Sequence, residues 1–172
     1  PGDNPGDIAS GPTVGDDGDA ARAIATLDQW GVTPPASIAA YLAAGANPLP
    51  LDDERLSRVE NVIYAAPSQS LEVAAEIARA EGVDVRVLGD ALEGEAREVA
   101  GAQAQTAVAV QASLAADARP VLLLSGGELT VTRRGDGVGG PNAEFSLALA
   151  IALNGADGIH AIACDTDGVD GA

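Results

Sequence analysis

The sequence predicts an α/β fold: three layers around a largely parallel sheet, with a mixed or antiparallel piece added to it. Three observations predict it. Short apolar runs alternate with helical periodicities from about residue 60 to residue 125, the run Val121-Leu-Leu-Leu124 halts at Ser125-Gly-Gly-Glu128, and polar or Gly-rich residues follow the other apolar runs. Alternating strands and helices make parallel strands with right-handed crossovers. Ligands of such sheets bind beyond the carboxyl ends of the strands.

The elements follow in order. Residues 1–20 are rich in Gly, Pro and Asp and read as an extended loop. From Asp19 to Trp30, Ala20, Ile24 and Leu27 share one face, with Asp19 as cap and Gly31 after the last turn. Pro34-Pro35-Ala-Ser37 opens a second helix over residues 38–44, closed by Gly45. Residues 46–58 are polar and broken by Pro, which marks a boundary: residues 1–58 close one domain and 59–172 form most of a second.

In the second part a strand is expected over 61–66, a helix over 68–80 with Leu71, Ala74, Ala75 and Ala78 on one face, and a strand over 83–88. A long Ala-rich helix covers 93–116, and the strand 121–124 is followed by a separate alternating strand over 128–133. Only a turn divides these two, so the second is expected to be an antiparallel or mixed addition to the sheet. A helix over 142–153 and a buried strand over 159–164 complete the order. His160 and Cys164 read as residues packed in or beside that strand. Four loops, Ala66-Pro-Ser68, Gly89-Asp90, Ser125-Gly-Gly-Glu128 and Asp165-Thr-Asp-Gly168, then meet at one sheet edge.

Composition narrows the chemistry. A chain of 172 residues buries about 70% of its unfolded surface, enough for one or two modest domains. It begins at Pro1, contains no Met and stops in an apparent loop, so a piece of a longer protein is expected. The formal charge is −17, and all nine basic residues are Arg. Such a surface repels nucleic acid and anionic membranes. Strong acidity suits a protein working in concentrated salt, and a GC-rich genome explains the composition equally well. One Cys makes no internal disulfide, and no apolar run spans a bilayer, which leaves a cytoplasmic location as the expectation.

The loop Gly135-Asp-Gly137-Val-Gly139-Gly140 admits positive φ and can point successive N–H groups at one anion, and Asn142 begins a helix whose N-terminus carries partial positive charge. It matches neither a Walker A sequence nor a dinucleotide fingerprint, and a plain flexible connection is the competing reading. Arg133 and Arg134 adjoin it, where a guanidinium fork can hold carboxylate or phosphate. Arg134, next to the glycines, is the candidate; solvation of both is the alternative. Asp165, Asp167 and Asp170 follow the last apolar run and can bind Mg²⁺, serve as a base, or form an acidic turn. In the first loop Asp3 can polarise a hydroxyl and Ser10 and Thr13 can donate hydrogen bonds, although Asx and Ser/Thr turns explain them too. A lone histidine completes no Ser-His-Asp arrangement.

Taken together, PGDNPGDIASGPTVGD, LGDALEGEAREVA, LLLSGGELTVTRRGDGVGGPNAEFSLALAIAL and DTDGVDGA resemble the second half of the class II glycerate 2-kinases with their MOFRL domain, a family whose related members are also called hydroxypyruvate reductases. The resemblance implies ATP-dependent phosphorylation of D-glycerate to 2-phosphoglycerate, usually with Mg²⁺, in a cleft between two α/β domains. It also implies roles. Asp3 matches an acidic position that activates the glycerate hydroxyl. Ser125, Gly126, Gly127 and Glu128 match the Ser-Gly-Gly-Glu motif, and Gly137, Gly139, Gly140, Asn142 and Glu144 match the Gly-rich segment that follows. Thr166, Asp167, Gly168 and Asp170 match the last motif. Pro141 stands where the family commonly has Arg, which leaves Arg134 as the nearest replacement. A hydroxypyruvate reductase using NAD(P)H and a non-catalytic anion-binding module are the alternatives.

Overall fold

The structure is a computed structural model and describes residues 4–6, 13–45, 47–166 and 168–171. The chain divides into two compact units, residues 1–64 and 65–172.

In the first unit, α1 (Ala20–Gln29) begins where the sequence places it, because the Asp19 carboxylate accepts the Arg22 N–H at 2.7 Å. Helix α2 (Ala36–Ala43) starts behind Pro35, whose fixed φ suits a helix entry. A 3₁₀ turn covers Glu54–Leu56. The backbone of Gly15 lies so close to Pro50 and Leu51 that a Cβ there would collide with both.

The second unit carries the three layers. Helix α3 (Pro67–Ala80) leads into β1 (Asp84–Glu95), which crosses over through α4 (Ala96–Ser113) to β2 (Val121–Thr130) and then α5 (Pro141–Leu153). The two strands pair in parallel, from Asp84 with Val121 to Glu95 with Thr130. On β2 the Ser125 hydroxyl accepts a bond from Gln103 of α4 at 3.2 Å, and a Cβ on Gly126 would lie 3.5 Å from Leu71 of α3. Successive strand residues face opposite sides, so α4 and α3 cover the two faces of the sheet. Buried Ala96, Ala100 and Ala104 recur every four residues along α4. This small-residue stripe lets α5 approach closely, and Leu149 with Phe145, Ala148 and Leu153 packs against Ala100 and Ala104.

Several sequence expectations are corrected. Ser125-Gly-Gly-Glu128 does not end a strand: β2 continues parallel to β1 through Thr130, so the antiparallel strand over 128–133 does not form. Likewise β1 runs through Gly89-Asp90 to Glu95. Two irregularities in register, between Val87 and Gly89 and between Gly89 and Leu92, absorb the glycines, so the pairing survives residues that read locally as a break. The helix expected from 93 begins at Ala96, because Glu93 to Glu95 pair with β2. Residues 61–66 and 159–164 are assigned to no strand. An apolar run becomes a strand only where a neighbour supplies its hydrogen bonds, and β1 and β2 alone pair among the described residues. His160 and Cys164 are accordingly exposed rather than packed.

Candidate functional site

The sequence features converge around the first turn of α5. Pro141 occupies an early helical position behind Gly140, where its lost N–H costs nothing. That turn is capped from far along the chain. One Asp170 oxygen accepts the Asn142 N–H at 2.8 Å and its side-chain amide at 3.2 Å, and the other accepts the Ala143 N–H at 2.7 Å. Partial desolvation pushes the Asp170 carboxyl up, but the bonds from Asn142, Ala143 and Gly140 outweigh it and leave the pKa below the ordinary aspartate value. A negative group at a helix N-terminus also gains from the helix dipole. The close approach requires glycine: a Cβ on Gly140 would lie 2.6 Å from the Asp170 backbone, and one on Gly171 would collide with Gly139.

A cavity of about 330 Å³ opens beside this turn, lined by Asn142, Ala143, Ser146, Cys164, Asp165 and Asp170 among others. Its polar groups are carboxylates, an amide and a hydroxyl, which suit the hydroxyl groups of a small polyol or hydroxy acid.

The loop leading to α5 is less concave than its glycines suggest. Among residues 135–140 only Gly139 takes a positive φ, at 151°, so a run of left-handed residues pointing N–H groups into one nest does not form. Arg133 is committed to the loop, donating to the Gly135 carbonyl at 2.9 Å and pairing with Asp136 at 3.6 Å. Arg134 is exposed, and its charge acts on Glu95.

The remaining candidates separate. Ser125, Gly126, Gly127 and Glu128 lie within β2 rather than on a loop. Gly127 has φ +150°, and a Cβ there would collide with the Leu92 backbone, so this glycine serves strand pairing. Glu128 stands opposite Glu93. Gly137 is in open space, and Thr166 is exposed. Asp3, Ser10 and Asp167 lie outside the described residues. Among the described residues no three His, Cys, Asp or Glu side chains cluster to hold a metal ion. Both Asp170 oxygens are engaged by N–H donors.

Glu95 and Arg97 were missed in the sequence. Glu95 accepts the Thr132 N–H at 2.7 Å and its hydroxyl at 3.0 Å, and the Arg97 Nε donates to Glu144 at 2.7 Å. Glu144, expected to contact ligand, is thus held by Arg97. The Thr132 N–H bond is the main reason the Glu95 carboxyl lies below its ordinary range; desolvation opposes it, and the Thr132 hydroxyl, Arg97 and Arg134 add to the lowering. Opposite charges two residues apart at a strand-to-helix junction were the only local signal, and their partners lie far away in sequence.

The protein-family comparison matches residues 121–172, from the start of β2 onward, to the MOFRL family. The chain is 47% identical to an Agrobacterium vitis protein provisionally named hydroxypyruvate reductase, over 99% of this chain and 39% of that protein. It is 36% identical to a glycerate 2-kinase of Pyrococcus horikoshii, over 99% of this chain and 40% of that protein. A solved glycerate kinase structure from Thermotoga maritima superposes with a TM-score of 0.60 at 26% identity, over 84% of this chain and 33% of that one. The chain therefore spans about two fifths of the length of the curated relatives it matches. No helix among the described residues is long and apolar enough to cross a membrane.

Proposed function

We propose that the chain is part of an enzyme that transfers the terminal phosphoryl group of ATP to the 2-hydroxyl of D-glycerate, giving 2-phosphoglycerate and ADP. The observation that carries this reading is the cavity of about 330 Å³ at the first turn of α5, into which carboxylates, an amide and a hydroxyl project, with the MOFRL loop leading into that turn. Phosphoryl transfer depends on positioning and charge neutralisation more than on covalent chemistry. Asp165 and Asp170 line the cavity and suit substrate hydroxyls. Arg134, with the backbone of Gly137 and Gly139, offers donors to a phosphate chain, while the Gly140 N–H is held by Asp170. The binding roles of Ser125, Asn142 and Thr166, of Asp3 and Ser10 in the first loop, and of Asp167 belong to the same proposal. So does the assignment of 1–58 and 59–172 to two domains of a longer cytoplasmic enzyme. Mg²⁺ accompanies ATP in such reactions, where it would neutralise charge on the phosphates.

The test is ADP release by the full-length gene product with D-glycerate, ATP and Mg²⁺, at low and high KCl. Release that requires glycerate supports the kinase. The name of the Agrobacterium relative favours a second reading, reduction of hydroxypyruvate, which NADH oxidation in a parallel assay would support. ADP release without glycerate dependence, or none, overturns the kinase reading.

A further inference from the structure

The MOFRL loop leaves β2 at Thr130 and enters α5 at Pro141. Its tip is solvent-exposed, with Val138 at 93%, so no packing of its own holds the Arg134 segment in one place. The two ends of the loop are held instead. At the entry, Glu95 takes both the N–H and the hydroxyl of Thr132, at 2.7 and 3.0 Å. At the exit, Glu144 in the first turn of α5 receives the Arg97 Nε at 2.7 Å, and the same nitrogen lies 3.9 Å from Glu95. The chain of contacts Thr132–Glu95–Arg97–Glu144 therefore closes a ring from one end of the loop to the other.

We propose that Glu95, Arg97 and Glu144 form a positioning triad that sets the span of the MOFRL loop and so the placement of Arg134, without touching the ligand. The proposal rests on the reading that this loop binds the phosphates of ATP. Its physical basis is placement. Glu95 and Arg97 flank the junction of β1 and α4, where Ala96 is fully buried, and Glu144 meets them from the first turn of α5. The three side chains are 20% to 39% exposed, and the 2.7 Å contact from Arg97 to Glu144 is a charge-assisted hydrogen bond of fixed direction. Through its Nε alone Arg97 makes a direct hydrogen bond to Glu144 and a longer charge contact with Glu95, and the fixed direction of its N–H is one that a lysine ammonium does not reproduce.

Trypsin reads the loop directly, because it cuts after Arg133 and Arg134. In the full-length gene product, Arg97→Gln and Glu144→Gln are each expected to speed cleavage there about three- to tenfold, and the double variant to be no faster than either single one, as for residues of one network. Arg97→Gln is also expected to raise the KM for ATP about three- to tenfold with kcat within about twofold, and Arg97→Lys to restore it only in part. Unchanged cleavage, or additive effects in the double variant, would overturn the triad. Faster cleavage with an unmoved KM for ATP would overturn its positioning role and leave a purely structural tie. An unaltered protein that releases no glycerate-dependent ADP defeats the kinase reading alone, because the cleavage comparison still decides the triad.

Discussion

Asp170 and Asn142 lie 28 residues apart, yet one carboxylate oxygen of Asp170 receives both the backbone N–H and the side-chain amide of Asn142, at 2.8 and 3.2 Å. The helix terminus that reads in sequence as an anion site is thus supplied with an anion by the chain itself.

Replacing Asp170 tests the cap. Asp170→Ala leaves the Asn142 and Ala143 N–H groups without their acceptor and is expected to lower the Tm by about 2–5 °C. Asp170→Asn keeps one acceptor oxygen and should fall between. Thermal unfolding followed by circular dichroism measures both, and an Asp170→Ala protein as stable as the original would show that water replaces the cap at no cost.

Acid should act through the same bonds. The Asp170 and Glu95 carboxyls both lie below their ordinary values of 3.8 and 4.5. A depressed folded-state pKa contributes stability that is complete above the unfolded value and is lost as pH falls through the folded one. The Tm gap between the original protein and an Asp170→Asn/Glu95→Gln variant is therefore expected to be constant above about pH 5.5 and to close below about pH 4. A gap that widened on acidification would contradict this sign.

The paired glycines of β2 are not equivalent. Gly127→Ala places a Cβ against the Leu92 backbone at a φ of +150° and is expected to cost about 2–4 kcal/mol. A Cβ at Gly126 would lie 3.5 Å from Leu71 and 3.7 Å from Asp90, ordinary contacts, so Gly126→Ala should stay within about 1 kcal/mol. Urea denaturation of the two variants gives the comparison, and equal losses would sink the distinction.

The interface of α4 and α5 depends on small residues. Ala100 is wholly buried against α5, so Ala100→Leu should overpack it at about 1–3 kcal/mol. Leu149→Ala should instead leave a cavity and cost about 2–4 kcal/mol. Chemical denaturation checks each, and an Ala100→Leu protein of unchanged stability would mean that the helices separate without penalty.

Arg134 carries the ligand prediction. Arg134→Gln is expected to raise the KM for ATP about tenfold in the full-length gene product. Arg133→Gln should raise it less, because Arg133 bonds within the loop to Gly135 and Asp136. Steady-state kinetics separates them, and a larger effect at Arg133 would reassign the contact.

The elements whose causes are local were legible in the sequence. Asp19 caps α1, and prolines open α2, α3 and α5, so these helices begin within a residue or two of where the sequence places them. The apolar run of β2 and the Ala-rich face of α4 were equally plain, because periodicity and burial repeat within a single segment. What the tertiary structure decided was pairing. Whether Ser125-Gly-Gly-Glu128 ends a strand depends on Leu92 and Glu93 lying opposite, and whether the α5 terminus faces a ligand depends on Asp170 reaching it. Arg97 meets Glu144 across 47 residues. A sequence window reports what a segment prefers, whereas a hydrogen bond or a close glycine contact is fixed by a neighbour that only the folded chain brings into range.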